Sequence, residues 1–260
     1  MSSPAPTGRS LVTLAPRPAA DTRLVCFPCA GAGPSMFRQL ARALPPDIEP
    51  VAVCLPGRES RLREPPARHL VGLAGQLARE LEDTVDGPYL MFGHSMGAML
   101  AYEACRWLQR TGRGPLPGTL TVSACLGPDL ARNTAVIGQS DQRLIERLAA
   151  LGGIPPDAAL DPDLMRLILP AIRADLTMVE VYRPRSGPPL ALELLVVVGA
   201  EDPVATPAQM TGWPATALRS ALQVRPGGHF YLLDPANRDW LVERFAGQAA
   251  RVRLAAETAA

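Results

Sequence analysis

Apolar positions along the chain fall into two rhythms that take turns. Strand-like runs appear at Arg23 to Phe27, Glu49 to Cys54, Tyr89 to Phe92, Thr119 to Ala124, Leu190 to Val198 and Leu222 to Val224. Between the first several, apolar residues recur at helical spacing over Phe37 to Ala43, His69 to Thr84 and Ala98 to Arg110. Near-continuous apolar runs mark strands covered on both faces, and the three-to-four-residue period marks amphipathic helices. Their alternation predicts an α/β fold, with a mostly parallel central sheet and helices on both faces. Such sheets bind ligands beyond the carboxyl ends of their strands. The loops leaving Phe27, Cys54, Phe92, Ala124, Val198 and Val224 are therefore where chemistry is expected.

One region breaks the alternation. From about Asp141 to Arg183 the pattern is helical only, with Leu144, Ile145 and Leu148 on one face of a first helix. Leu164, Leu167, Ile168, Ile172, Leu176 and Val179 mark a second helix, over Pro162 to Tyr182, and Gly152-Gly153-Ile154-Pro155-Pro156 separates the two. A helical insertion between strands predicts a lid, spanning about 137–186. The Pro-, Ala- and Ser-rich residues 1–20 read as a flexible N-terminal arm, and 21–260 as one domain carrying that lid.

Length and composition narrow the class. A chain of 260 residues with 47% hydrophobic content can build a sizeable core, and a net charge of +1 gives no reason to expect nucleic acid. No apolar run reaches the roughly eighteen residues of a membrane span, and no compact apolar segment leads to a cleavage site. A cytoplasmic location is expected. Five cysteines do not make a disulfide framework in a chain this long. Cys26 and Cys29 form a C-x-x-C pair, but Cys26 lies inside a strand and no second ligand pair follows, so buried thiols are expected rather than a redox or metal site. No metal and no cofactor are expected.

Gly93-His94-Ser95-Met96-Gly97 follows the strand Tyr89 to Phe92 and opens the helix from Ala98. In that context G-x-S-x-G predicts a nucleophile elbow, a tight turn that lifts a serine hydroxyl above the sheet. Ser95 is the expected nucleophile, and the Met96 N–H at the helix start is one donor for a developing oxyanion. Its expected second donor is the Ala30 N–H, in the small-residue loop after Phe27.

Among three histidines, His94 is turned away from the serine by the elbow and His69 opens a surface helix. His229, on the glycine-rich loop after the last strand, is the expected base. The orienting carboxylate should precede it in the chain, at the strand end Gly199-Ala200-Glu201-Asp202-Pro203. Asp202 is chosen because Pro203 fixes the turn behind it; Glu201 stays open as the alternative. Asp129 and Asp175 fit less well, the first after an earlier strand and the second within the lid helix.

Four blocks give the chain a resemblance: Phe27-Pro28-Cys29-Ala30-Gly31, Leu55-Pro56-Gly57-Arg58-Glu59-Ser60-Arg61 with Glu64-Pro65-Pro66, Gly93 to Ala98, and Gly227-Gly228-His229-Phe230. In order and spacing they resemble the type II thioesterases, the editing thioesterases of polyketide and nonribosomal peptide assembly lines, within the α/β-hydrolase fold. Cys29 is a departure, since the family commonly has His or an aromatic there. The resemblance implies a serine thioesterase that hydrolyses acyl or aminoacyl thioesters from the phosphopantetheine arm of acyl- or peptidyl-carrier proteins, clearing stalled or misprimed lines. Other uses of the same elbow are a carboxylesterase on small esters and an acyl-transferring or cyclising release enzyme. Arg58, Arg61, Arg63 and Arg68 form a local basic cluster to which an acidic carrier protein could dock.

Overall fold

The computed structural model describes residues 9–130, 136–184 and 186–259. Its seven-stranded sheet has the order β1-β3-β2-β4-β5-β6-β7. The strands are β1 (Leu11–Thr13), β2 (Thr22–Phe27), β3 (Ile48–Val53), β4 (Tyr89–His94), β5 (Thr119–Ser123), β6 (Leu190–Gly199) and β7 (Ala217–Arg225). Only β1 runs antiparallel to its neighbour; the pairs from β3 to β7 are parallel. The helices are α1 (Arg38–Ala43), α2 (Leu70–Thr84), α3 (Met96–Thr111), α4 (Asp141–Ala150), α5 (Pro156–Ala159), α6 (Pro162–Val181) and α7 (Pro235–Ala259).

Every residue of β4 and β5 is buried; β4 opens with the apolar run Tyr89 to Phe92, whereas β5 buries Thr119, Thr121 and Ser123 between its apolar residues. Their side chains divide between two cores. On one face Met91, Leu120 and Val122 pack with Leu73, Leu77 and Leu81 of α2 and with Met99, Leu100 and Leu108 of α3. On the other, Leu90 and Phe92 pack with Leu40 of α1 and with Leu241 and Phe245 of α7. Phe92 sits edge-on to Phe37 at 5.9 Å and lies 5.3 Å from Phe245. Burying one such ring stabilises the fold by about 1.5–3 kcal/mol, and this one fixes β4 three residues before Ser95.

Two elements depart from the sequence reading. Part of the expected flexible arm is tied down: Leu11, Val12 and Thr13 pair with Val53, Ala52 and Val51. The Glu80 carboxylate of α2 accepts the Ser10 and Leu11 N–H groups at 2.7 and 3.1 Å. Three residues are too few to display a strand period. The last strand is also longer than Leu222 to Val224, because it forms the sheet edge and leaves most of its side chains in solvent, which hides the apolar signature.

The expected lid is present as α4, α5 and α6, inserted between β5 and β6. It has a small core of its own, in which Leu144, Ile154, Met165, Leu169 and Ile172 are buried together. Asp161 starts α6 by accepting the Asp163 and Leu164 N–H groups. Such a cap is typically worth about 1 kcal/mol.

Candidate active site

The turn from β4 into α3 places Ser95 at φ 55°, ψ −120°, a region that residues with a side chain rarely occupy and that a functional turn can hold under strain. Two neighbours make the turn possible. A Cβ on Gly93 would meet the Ala98 backbone nitrogen at 2.6 Å, and one on Gly97 would strike the Phe27 and Pro28 carbonyls. The Ser95 N–H donates to the Ser123 carbonyl at 2.8 Å, locking the turn to β5. Met96 is the first residue of α3, so its N–H has no intrahelical acceptor. The Gly97 contact brings this helix start against the loop that carries Ala30.

Two further loops close on the serine. His229 Nε2 lies 3.1 Å from Ser95 Oγ, across 134 residues of sequence, and its Nδ1 lies 2.9 Å from Asp202 Oδ2. The other oxygen of Asp202 accepts the Val204 and Ala205 N–H groups at 2.8 and 3.1 Å. The carboxylate is thereby fixed in orientation as well as buried. A proton on Nδ1 satisfies the carboxylate and leaves Nε2 able to accept the serine proton. Glu201, the alternative acid, points elsewhere: its Oε2 accepts the Gly227 N–H at 2.6 Å and braces the histidine loop.

The other sequence candidates fall as follows. His94 is buried; its Nδ1 lies 2.9 Å from Ser123 Oγ, which lies 2.8 Å from the Tyr231 hydroxyl. His69 caps α2, with Nδ1 accepting the Gly72 N–H. All five cysteines are free and buried. Burial, with the Asp175 charge adding to it, pushes the Cys29 thiol up to about 12, and burial likewise raises Cys26, so both are thiols rather than reactive thiolates. Among the described residues no group of three or more His, Cys, Asp or Glu is placed to hold a metal ion, and no helix is long and apolar enough to cross a membrane.

The expected basic docking cluster is corrected for two of its four arginines, while Arg63 and Arg68 are exposed. Arg58 and Arg61 are buried. Arg58 pairs with both oxygens of Asp175; Arg61 pairs with Glu64 and also donates to the Cys54 carbonyl at 3.0 Å. A guanidinium inside the protein needs fixed acceptors, and these two have them, so they present no charge to a partner. Asp175, set aside in the sequence, is fully buried. Asp163 and Asp175 both stand in the α6 sequence, and its pattern does not tell the exposed one from the buried one.

An apolar cavity of about 280 Å³ opens beside Ser95, lined by Met96, Met99, Leu126, Leu151, Val179 and Val204 among others. The lid supplies Leu151 and Val179, so α4 and α6 form the far wall.

A serine on a strand-to-helix elbow, with a carboxylate after β6 and a histidine after β7 in that chain order, is the arrangement of the α/β-hydrolase fold, here under a helical lid. The family described as "Thioesterase domain" matches residues 22–248. A probable cadicidin biosynthesis thioesterase of Streptomyces griseus is 34% identical over 86% of this chain, which spans only 63% of that protein's length. Thioesterase PikA5 of Streptomyces venezuelae is 34% identical over 84% of this chain and 78% of its own. The solved type II thioesterase BorB of the borrelidin biosynthetic cluster superposes with a TM-score of 0.84 at 34% identity, covering 92% of this chain and 97% of that one. The chain belongs to the thioesterase domain family, as a type II thioesterase of polyketide and nonribosomal peptide biosynthesis.

Proposed function

We propose that the protein hydrolyses acyl or aminoacyl thioesters held on the phosphopantetheine arm of acyl- or peptidyl-carrier proteins, releasing the acid and freeing a blocked carrier. The hydrogen-bonded series Asp202–His229–Ser95, ending at the mouth of an apolar cavity, is the observation that carries it. The similarity to thioesterases such as PikA5 and BorB supports a thioester as the substrate class.

Ser95 Oγ attacks the thioester carbonyl carbon while His229 Nε2 takes its proton. The tetrahedral oxyanion is held by the Met96 and Ala30 N–H groups; one such donor is typically worth about 2.7–4 kcal/mol in the transition state. The C–S bond breaks and the leaving sulfur takes the proton from His229. Water then attacks the acyl-serine, giving a proton to His229, and the ester C–O bond breaks as that proton returns to Ser95. Asp202 holds the ring and stabilises the imidazolium without being protonated.

Intact-mass analysis of carrier proteins loaded with a panel of acyl groups tests the proposal. Exposure to the protein should return them to free holo-carrier mass, and Ser95→Ala should leave them loaded. Rapid cleavage of matched oxygen esters with the carriers untouched would replace the proposal with a carboxylesterase.

A further inference from the structure

The lid helix is joined to the floor of the site through one buried carboxylate. Asp175, in the middle of α6, has no exposed side-chain surface. Its Oδ2 accepts the Gly31 N–H at 2.8 Å, one residue beyond Ala30, and its Oδ1 accepts from Arg58 Nη2 at 3.0 Å. Arg58 also donates to the Ala32 carbonyl at 3.3 Å. The next residue, Glu59, accepts the Ser35 N–H and hydroxyl at 3.0 and 2.7 Å. The loop from Ala30 to Ser35 is therefore held from the lid by Asp175 and from the loop after β3 by Arg58 and Glu59.

We infer that Asp175 is a positioning residue that sets the Ala30 N–H for the oxyanion only while α6 is docked, so lid opening and the loss of transition-state stabilisation are one event. The inference deepens the hydrolase reading above and rests on it. The Gly31 N–H shares one rigid plane with the Ala30 carbonyl, and only the φ and ψ of Ala30 separate that plane from the Ala30 N–H. Fixing the Gly31 N–H thus fixes the plane that follows Ala30. The charge is needed as well as the shape. An asparagine could still accept from Gly31, but its NH₂ would then face the guanidinium of Arg58 donor to donor, and helix or loop would have to shift. A lid that lifts takes Asp175 with it, leaving the loop without its upper anchor and Arg58 without its counter-charge.

The test compares Asp175→Asn and Arg58→Lys with the parent, with Asp163→Asn as a control at an exposed pair on the same helix. Three quantities are read: kcat/KM on acyl-pantetheine, inhibition by an acyl-pantetheine trifluoromethyl ketone, and binding of an amide-linked acyl-pantetheine. The ketone forms a tetrahedral adduct on serine and needs the oxyanion donors; the amide does not. Asp175→Asn should lower kcat/KM by about a hundredfold, near the lower end for loss of one such donor. It should weaken the ketone in step, leave amide binding within about threefold, and spare Asp163→Asn. Should Asp175→Asn not fold, Arg58→Lys is read the same way. Turnover within threefold of the parent, equal losses for ketone and amide, or unfolding of both variants would each overturn the inference in favour of plain structural support. The hydrolase reading fails separately, when Ser95→Ala keeps its turnover. In that event the rate at which a fluorophosphonate labels Ser95 in parent and Asp175→Asn still reports on the donor loop.

Discussion

The rings of His94 and His229 lie 5.2 Å apart, centre to centre, one buried behind the other. Burial, and secondarily the neighbouring imidazole, holds His94 well below the ordinary histidine value of 6.5. Staying neutral, it adds no positive charge beside the His229 ring, which the proposed mechanism makes an imidazolium.

That arrangement ties stability to pH. The folded chain keeps His94 neutral where the unfolded chain protonates it, so the unfolded state binds the extra proton. Stability is complete above the unfolded value of about 6.5 and is lost as the pH falls below it. The loss is up to about 1.4 kcal/mol per pH unit until the folded ring also protonates. Denaturant midpoints between about pH 7.5 and about pH 5.5 should therefore fall for the parent. His94→Gln should flatten that slope, whatever its absolute stability. Parallel slopes would assign the loss to other groups.

Asp202 and Glu201 are neighbours with separate tasks, and their amide variants should part accordingly. Asp202→Asn keeps the shape, but its amide oxygen is held by the Val204 and Ala205 N–H groups, so its NH₂ faces Nδ1 and selects the wrong tautomer of His229. A fall of up to about 10⁴-fold in kcat is expected. Glu201→Gln retains an acceptor for the Gly227 N–H. As an exposed substitution, it should change stability by no more than about 0.5 kcal/mol and turnover by a similar small factor. Steady-state rates on one acyl thioester decide between them; a crippled Glu201→Gln beside an active Asp202→Asn would reverse the roles.

The elbow shows how much of this was legible in the sequence. Gly93, Ser95 and Gly97 are local: strand, turn and helix follow one another from Tyr89 to Thr111, so spacing alone places them at one end of the sheet. His229 and Asp202 could be ranked because chain order and strand ends limit the choices. Asp175 and Arg58 escaped this logic. They are 117 residues apart, and nothing in the local pattern separates a charge that faces solvent from one that meets its partner inside. The same blindness counted two buried guanidinium groups, Arg58 and Arg61, into an apparent basic patch. Short β1 and edge strand β7 were lost or truncated because neither buries enough residues to show a period.

Gly97→Ala should uncouple fold from activity. A methyl group there runs into the Phe27 and Pro28 carbonyls, and backbone cannot yield as a side chain can. The start of α3 must move away from the Ala30 loop, spreading the two proposed oxyanion donors, the Met96 and Ala30 N–H groups. Activity should fall by about 10²- to 10³-fold, the range for loss of one donor, while the far-ultraviolet circular dichroism of the parent is kept. Full activity in a folded Gly97→Ala protein would show that the contact between α3 and the Phe27–Ala30 loop does not set the donors.

The cavity wall makes the last case. Val179 reaches it from the lid helix and Met99 from α3, so the acyl chain is expected to lie between the core and the lid. The space is modest, about 280 Å³, close to the lower limit of small-molecule pockets. Val179→Phe adds bulk on the lid side without touching Ser95, His229 or Asp202. Short acyl groups that never reach Val179 should be turned over as before. Longer ones should lose about 0.8 kcal/mol for each methylene pushed back into solvent, roughly fourfold in kcat/KM per carbon. A homologous series of acyl-pantetheine thioesters, plotted as the logarithm of kcat/KM against chain length, should therefore break at a shorter chain in Val179→Phe than in the parent. Identical break points would place the acyl chain elsewhere, and an equal loss at every length would mean that the larger side chain displaces the lid instead of filling the chamber.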